Sequence, residues 1–223
     1  MSDPPPNLAG MGLSITVRLL NGLARNDPEG WEHHLSAFAL LNQALAGQGI
    51  DWREPGTDPA GDVLYAGGFP YNYLSHLRRA FVLRLRGVAV TPAHAVDAEQ
   101  YARDQEKVHD ELAMFSSHLL CHADNGGYYV PVDMSEPLFL SEEEEVLGYG
   151  MVGSSQRLQS ELVRLAPGID IHPDEDGALS RAEQARLVDT PSTDPFEPEK
   201  VAWAQLYAAC QSSIASGHAI VFS

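Results

Sequence analysis

The chain predicts an α+β fold: a helix-rich single domain of about five helices beside a small, mostly antiparallel sheet. Three observations lead there. Apolar residues recur at helical spacing in five separate segments. β-Branched runs stand near both ends of the chain. Strands and helices do not alternate regularly, as a parallel βαβ sheet would require.

Residues 13–20 are β-branched and partly alternating, the pattern of a strand. Asp27-Pro28 then supplies an N-cap and a first-turn proline for a helix over about 29–46, which Gly47 ends. Residues 51–62 form a loop rich in Pro, Gly and Asp, and 63–65 a short strand. Gly67-Gly68-Phe69-Pro70 opens a second helix, with Leu74, Leu77, Phe81, Leu85 and Val88 on one face. A third starts at Thr91-Pro92 or Asp97 and runs through Val108, Leu112 and Phe115 to about Ser117. Asn125-Gly126-Gly127 before Tyr128-Tyr129-Val130 is hairpin chemistry, so 119–132 is expected to be a β-hairpin. The fourth helix covers 154–166 and the fifth about 198–215. Residues 218–222 close the chain as a strand that could pair with the first. Residues 1–10 read as a flexible leader, and 11–223 as the single domain.

Charge sets the expected class of partner. Fourteen basic against thirty-one acidic residues give a net charge of −17, which argues against contact with nucleic-acid phosphates or a membrane surface. The charge is unevenly placed. Residues 63–96 contain no acid but hold Arg78, Arg79, Arg84 and Arg86, whereas 133–199 carries sixteen acids against four arginines. A basic patch beside an acidic half suggests a homo-oligomer, or an acidic face for a basic partner. No run approaches eighteen apolar residues, and the N-terminus lacks the basic and apolar regions of a signal peptide. Cys121 and Cys210 are the only cysteines, too few for a disulfide framework, so a soluble, cytoplasmic protein is expected.

Two segments could hold chemistry. Tyr71, Tyr73, His76 and Arg79 mix rings and positive charge in the acid-free stretch. Together with Tyr128 and Tyr129 they are the candidate pocket for a small anionic or aromatic ligand. His118 and His122 stand four apart, with Asp124 after them and Glu111 seven residues before His118. On a helix that set would suit a transition metal. The preferred hairpin instead puts both histidines on one strand face, as ordinary hydrogen-bonded residues.

Residues 172–183 resemble a calcium loop of the EF-hand family, with Asp174, Asp176, Gly177, Leu179 and Glu183 at its third, fifth, sixth, eighth and twelfth positions. Two departures count against calcium. His172 stands at the first position, and Pro167-Gly168 breaks the entering helix. An Asp-Gly turn followed by a Ser180-x-x-Glu183 capping box accounts for the same letters. Gly148-Tyr149-Gly150-Met151-Val152-Gly153 fits the dinucleotide pattern, but Glu142 to Glu145 stand where its buried strand should be. No catalytic motif appears, and no cofactor is expected. The leading expectation is an acidic binding protein, inhibitor- or immunity-like toward a basic partner. The alternative is a metal-dependent hydrolase built on His118 and His122.

Overall fold

The first strand, β1 (Gly12–Val17), is an interior strand of a mixed sheet that has six strands among the described residues. A computed structural model describes residues 12–58 and 61–223; the expected leader, 1–10, lies outside the described residues. The other strands are β2 (Tyr65–Pro70), β3 (Gly127–Val130), β4 (Leu138–Phe139), β5 (Met151–Ser154) and β6 (Ile220–Phe222). Their order is β2-β1-β6-β3-β5-β4. Every neighbouring pair is antiparallel except β3 with β5, which is parallel.

Eight α-helices are present among the described residues, where about five were expected. They are α1 (Leu19–Asn26), α2 (Pro28–Gly47), α3 (Tyr71–Leu85), α4 (Ala98–Leu112), α5 (His118–Cys121), α6 (Ser155–Leu165), α7 (Arg181–Val188) and α8 (Glu197–Ser216). None is long and apolar enough to cross a membrane. The fold is α+β, but the small antiparallel sheet with a hairpin at 119–132 is overturned.

Local chemistry explains the hairpin's failure. Ser117 Oγ accepts from Leu120 N at 3.1 Å, and the Glu161 carboxylate accepts from His118 N at 3.0 Å and Leu119 N at 2.7 Å. Three amides at one helix start are thereby satisfied, one from within and two from α6. That holds 118–121 as the one-turn helix α5. Strand β3 then pairs with β5 and β6 and is buried at all four positions. Its partners are thus supplied by distant parts of the chain.

Other differences have equally local causes. Arg18 adopts a left-handed backbone (φ 64°), which ends β1 and turns Leu19-Leu20 into α1. Gly67-Gly68-Phe69-Pro70 belongs to the edge strand β2 and does not open a helix. A Cβ at Gly68 would lie 2.4 Å from the Leu13 carbonyl oxygen, so this strand approach requires glycine. The expected caps of other helices are present. Asp27 accepts from Gly30 N, Asp97 from Gln100 N, Ser154 from Arg157 N and Ser180 from Glu183 N.

Both sheet faces are covered. Leu13, Ile15, Val17, Tyr129, Ile220 and Phe222 point into one core, shared with α3, α6 and α8. There Trp203, fully buried, donates from Nε1 to Leu162 O at 2.7 Å. Tyr128, Val130, Val152 and Val221 point into a second core, closed by Phe38, Leu41 and Leu45 of α2. The alternation of side chains along β3 thus sends Tyr128 and Tyr129 to opposite layers.

Candidate functional site

The cations of this chain are largely consumed inside it. Arg79 of α3 is buried and bonds Asp104 Oδ2 through Nη2 at 2.7 Å and Nε at 2.9 Å. Arg78 bonds Leu119 O at 2.9 Å and pairs with Asp124. Arg86 bridges to Glu111 at 2.8 Å and Asp110 at 3.3 Å. Three of the four arginines of the acid-free stretch are therefore neutralised by carboxylates from elsewhere. Across the described residues only Arg53, Arg84, Arg164 and Arg181 lack an ion pair among the fourteen Lys and Arg. The expected basic patch dissolves, and the surplus that faces solvent is acidic.

Part of that surplus lies on a ribbon formed by β4, β5 and the chain between them. Leu140 N donates to Gly150 O at 2.7 Å, and Val146 and Tyr149 exchange bonds of 3.2 and 3.1 Å. Leu147 (φ 56°) and Gly148 (φ 81°) form the tight tip. Both residues being left-handed is the signature of a type I′ turn. Glu142, Glu143 and Glu145 on this ribbon are exposed; Glu144 is half-buried and accepts from Ser141 Oγ at 2.9 Å. None of the four has an ion pair among the described residues. Glu144 Oε1 lies 3.8 Å from where a Cβ on Gly47 would stand, at the C-terminal end of α2. The last turn of α2 has no basic residue. A helix C-terminus carries partial negative charge, so dipole and glutamates reinforce one another's field instead of cancelling.

A second acidic loop is built differently. Asp174 Oδ1 accepts from Asp176 N at 3.0 Å and Ala178 N at 2.8 Å, while Glu175 and Asp176 are exposed. Glu183, the twelfth position of the EF-hand resemblance, accepts from His172 N at 2.9 Å and pairs with Arg186 at 2.6 Å. Its carboxyl lies below the ordinary glutamate range because of the Arg186 guanidinium.

The expected ligand residues are dispersed. Tyr71 is exposed at the start of α3. Tyr73 OH donates to Glu197 Oε2 at 3.1 Å. His76 Nδ1 sits 3.2 Å from Tyr101 OH, beside an open cleft of about 710 Å³ that His94, Gln105 and His109 also line. Burial and then Arg79 hold His76 below the usual histidine range. Tyr128 and Tyr129 belong to the two different cores. Tyr101, on α4, is one of several residues of this cleft that no sequence motif singles out.

The four expected metal ligands are likewise engaged elsewhere. His118 is buried, and its Nδ1 accepts from Ser154 N at 2.9 Å. His122 stacks on Tyr129 with ring centroids 4.2 Å apart, and its Nδ1 lies 2.9 Å from Ala123 O. Burial lowers the two imidazoles to about 4 and about 3. Asp124 belongs to Arg78 and Glu111 to Arg86. Among the described residues no group of three or more His, Cys, Asp or Glu is placed to hold a metal ion. Burial raises the Glu161 carboxyl, which caps α5, to about 7. No sequence signal identifies Glu161 as the cap of a helix forty residues earlier.

The family described as "Putative DNA-mimic protein" matches the chain over residues 11–222. No curated protein and no solved structure matches it significantly. This corrects the expected partners. A DNA mimic addresses a DNA-binding protein, a narrower class than basic partners in general. Nucleic acid, which was excluded, enters as the molecule imitated. The basic half from which a homo-oligomer was expected is largely neutralised, because Arg78, Arg79 and Arg86 are paired within the chain. With the match spanning nearly its whole length, the chain belongs to this DNA-mimic family.

Proposed function

We propose that the protein binds the DNA-contacting face of a DNA-binding protein and competes there with DNA. The carrying observation is that most of the cations are paired internally while Glu142, Glu143 and Glu145 stand exposed with no ion pair among the described residues. A surface of exposed carboxylates offers a DNA-binding protein the charge it meets along a phosphate backbone. Inhibition of the partner's DNA binding follows from occupancy alone and needs no catalysis.

The test is competitive elution. Proteins from the encoding cells are retained on the immobilised chain and then challenged with duplex DNA at constant ionic strength. Release of a DNA-binding protein by duplex, but not by the same concentration of a neutral polymer, is the expected result. Retention that duplex DNA leaves untouched would sink the reading.

A further inference from the structure

Four non-glycine residues among those described have left-handed backbones: Arg18, Phe115, Leu147 and Asp170. Bulky apolar side chains rarely adopt this conformation, which favours Gly and Asn. Phe115 (φ 53°) follows the end of α4, where glycine usually terminates a helix. Leu147 (φ 56°) occupies a tip position that Asn would fill without strain. Both side chains face solvent, Phe115 at 59% and Leu147 at 41% relative exposure. Neither gains the burial that would offset an unfavourable backbone.

Phe115 also has a ring partner from another part of the chain. Its centroid lies 5.4 Å from that of Phe139 on β4, with the planes at 90°. Phe139 is itself 45% exposed, and Met114 beside the pair 69%. Strand β4 is the sheet's edge among the described residues. The acidic ribbon thus carries Phe139 at its base, ring to ring with Phe115 from the end of α4, and a leucine at its tip, with Glu142 to Glu145 between Phe139 and Leu147 in sequence. Rings flanked by charge are the make-up of a protein contact: aromatic anchors supply affinity, and charge supplies steering and register.

Resting on the proposed competition with DNA, we infer that Phe115, Phe139 and Leu147 are apolar anchors by which this acidic face selects its partner. That partner is a DNA-binding protein whose basic DNA-contacting surface borders an aliphatic patch. The glutamates match the basic surface, as any polyanion would. The rings and the leucine make contacts that a phosphate backbone does not offer, and so distinguish one DNA-binding protein from another.

The backbone supplies a test in which loss of folding cannot imitate loss of binding. Phe115→Asn and Leu147→Asn each remove an apolar side chain and place a tolerated residue at the left-handed position, so melting temperature should stay level or rise. Extract from the encoding cells is passed over immobilised wild type, the two Asn variants and a Glu142→Gln/Glu143→Gln/Glu145→Gln variant. Each column is eluted with duplex DNA, and the released proteins are quantified by mass spectrometry. At least one DNA-released protein should fall about tenfold or more on both Asn variants, which is ~1.4 kcal/mol. Equal amounts of every released protein on wild type and the Asn variants would overturn the anchors while leaving competition with DNA intact. If duplex DNA releases nothing from wild type, the competition fails and the anchors fail with it.

Discussion

Arg79 and Asp104 meet in the interior with both side chains shielded, the guanidinium placing two nitrogens within 2.9 Å of one carboxylate oxygen. Lys107 Nζ and Gln100 Nε2 occupy the other oxygen at 2.6 and 2.9 Å. Burial alone would raise the Asp104 carboxyl, but Lys107 and Arg79 together bring it below the ordinary aspartate range. Removing one partner strands the other charge away from water. Asp104→Ala should therefore lose about 3–5 kcal/mol in urea unfolding. An Arg79→Leu/Asp104→Leu pair should lose less than that single change. A single variant as stable as wild type would contradict the ion pair.

The buried titratable groups around α5 make opposed contributions to the pH dependence of stability. His118 and His122 are depressed from 6.5 to about 4 and about 3, whereas Glu161 is raised from 4.5 to about 7. Between pH 4.5 and 6.5 the unfolded chain protonates both histidines, while the folded chain instead protonates Glu161. Stability from the histidines is present above their unfolded value and is lost as pH falls; that from Glu161 is lost as pH rises toward 7. The net is one extra proton on the unfolded chain, so these groups make stability rise by about 1.4 kcal/mol per pH unit across this window. Glu161→Gln should steepen their slope toward about 2.7 kcal/mol per unit. Denaturant titrations of both chains from pH 4.5 to 6.5 read this directly, because other groups cancel in the difference. Parallel curves would refute the assignment.

Tyr129 and Gly153 are register partners in the parallel pair of β3 and β5. A Cβ at Gly153 would fall 2.2 Å from Tyr129 Cδ1, and that ring is held by stacking on His122 and by a 2.9 Å bond from its hydroxyl to His118 O. Overpacking of this kind costs roughly 1–3 kcal/mol. Gly153→Ala should show it as a fall in thermal midpoint, relieved by Tyr129→Leu in the same chain. Tolerance of Gly153→Ala at full stability would mean that the strands pack otherwise.

The glutamate run at the C-terminal end of α2 should destabilise the free protein. Salt screens such repulsion, so raising NaCl from low to about 0.5 M should increase the melting temperature of wild type. Glu142→Gln/Glu143→Gln/Glu145→Gln should melt at or above wild type in low salt and respond less to NaCl. An equal salt response in both proteins would remove the run as a source of self-repulsion.

Much of the helical framework was legible in the sequence, because caps and apolar stripes are local signals. Asp27-Pro28, Asp97 and the Ser180-x-x-Glu183 box mark helix starts where the structure has them. What could not be read was tertiary. The fate of 118–122 depends on Glu161 reaching across from α6, and β3 is a central strand only because β5 and β6 arrive on either side. Phe115 continues the apolar stripe of α4 in sequence, yet the helix ends at Leu112 and leaves the ring outside. The acidic character was plain from composition. Its separation from the arginines was not, since ion pairs such as Arg78 with Asp124 join segments that spacing does not connect.

Strand order bears on how the chain acquires its shape during synthesis. Strand β1 is held on one side by β2 and on the other by β6, with Thr16 opposite Val221. Strand β6 in turn joins the β1–β2 pair to β3, β5 and β4. Until residues 220–222 have left the ribosome, the two parts of the sheet lack the strand that connects them, and apolar surface made early in translation has no finished layer to cover. Contacts this distant along the chain slow folding and favour a late, cooperative closure. A nascent chain halted before Ile220 should accordingly be open to protease across both parts of the sheet, and become resistant in a single step once the last strand is free.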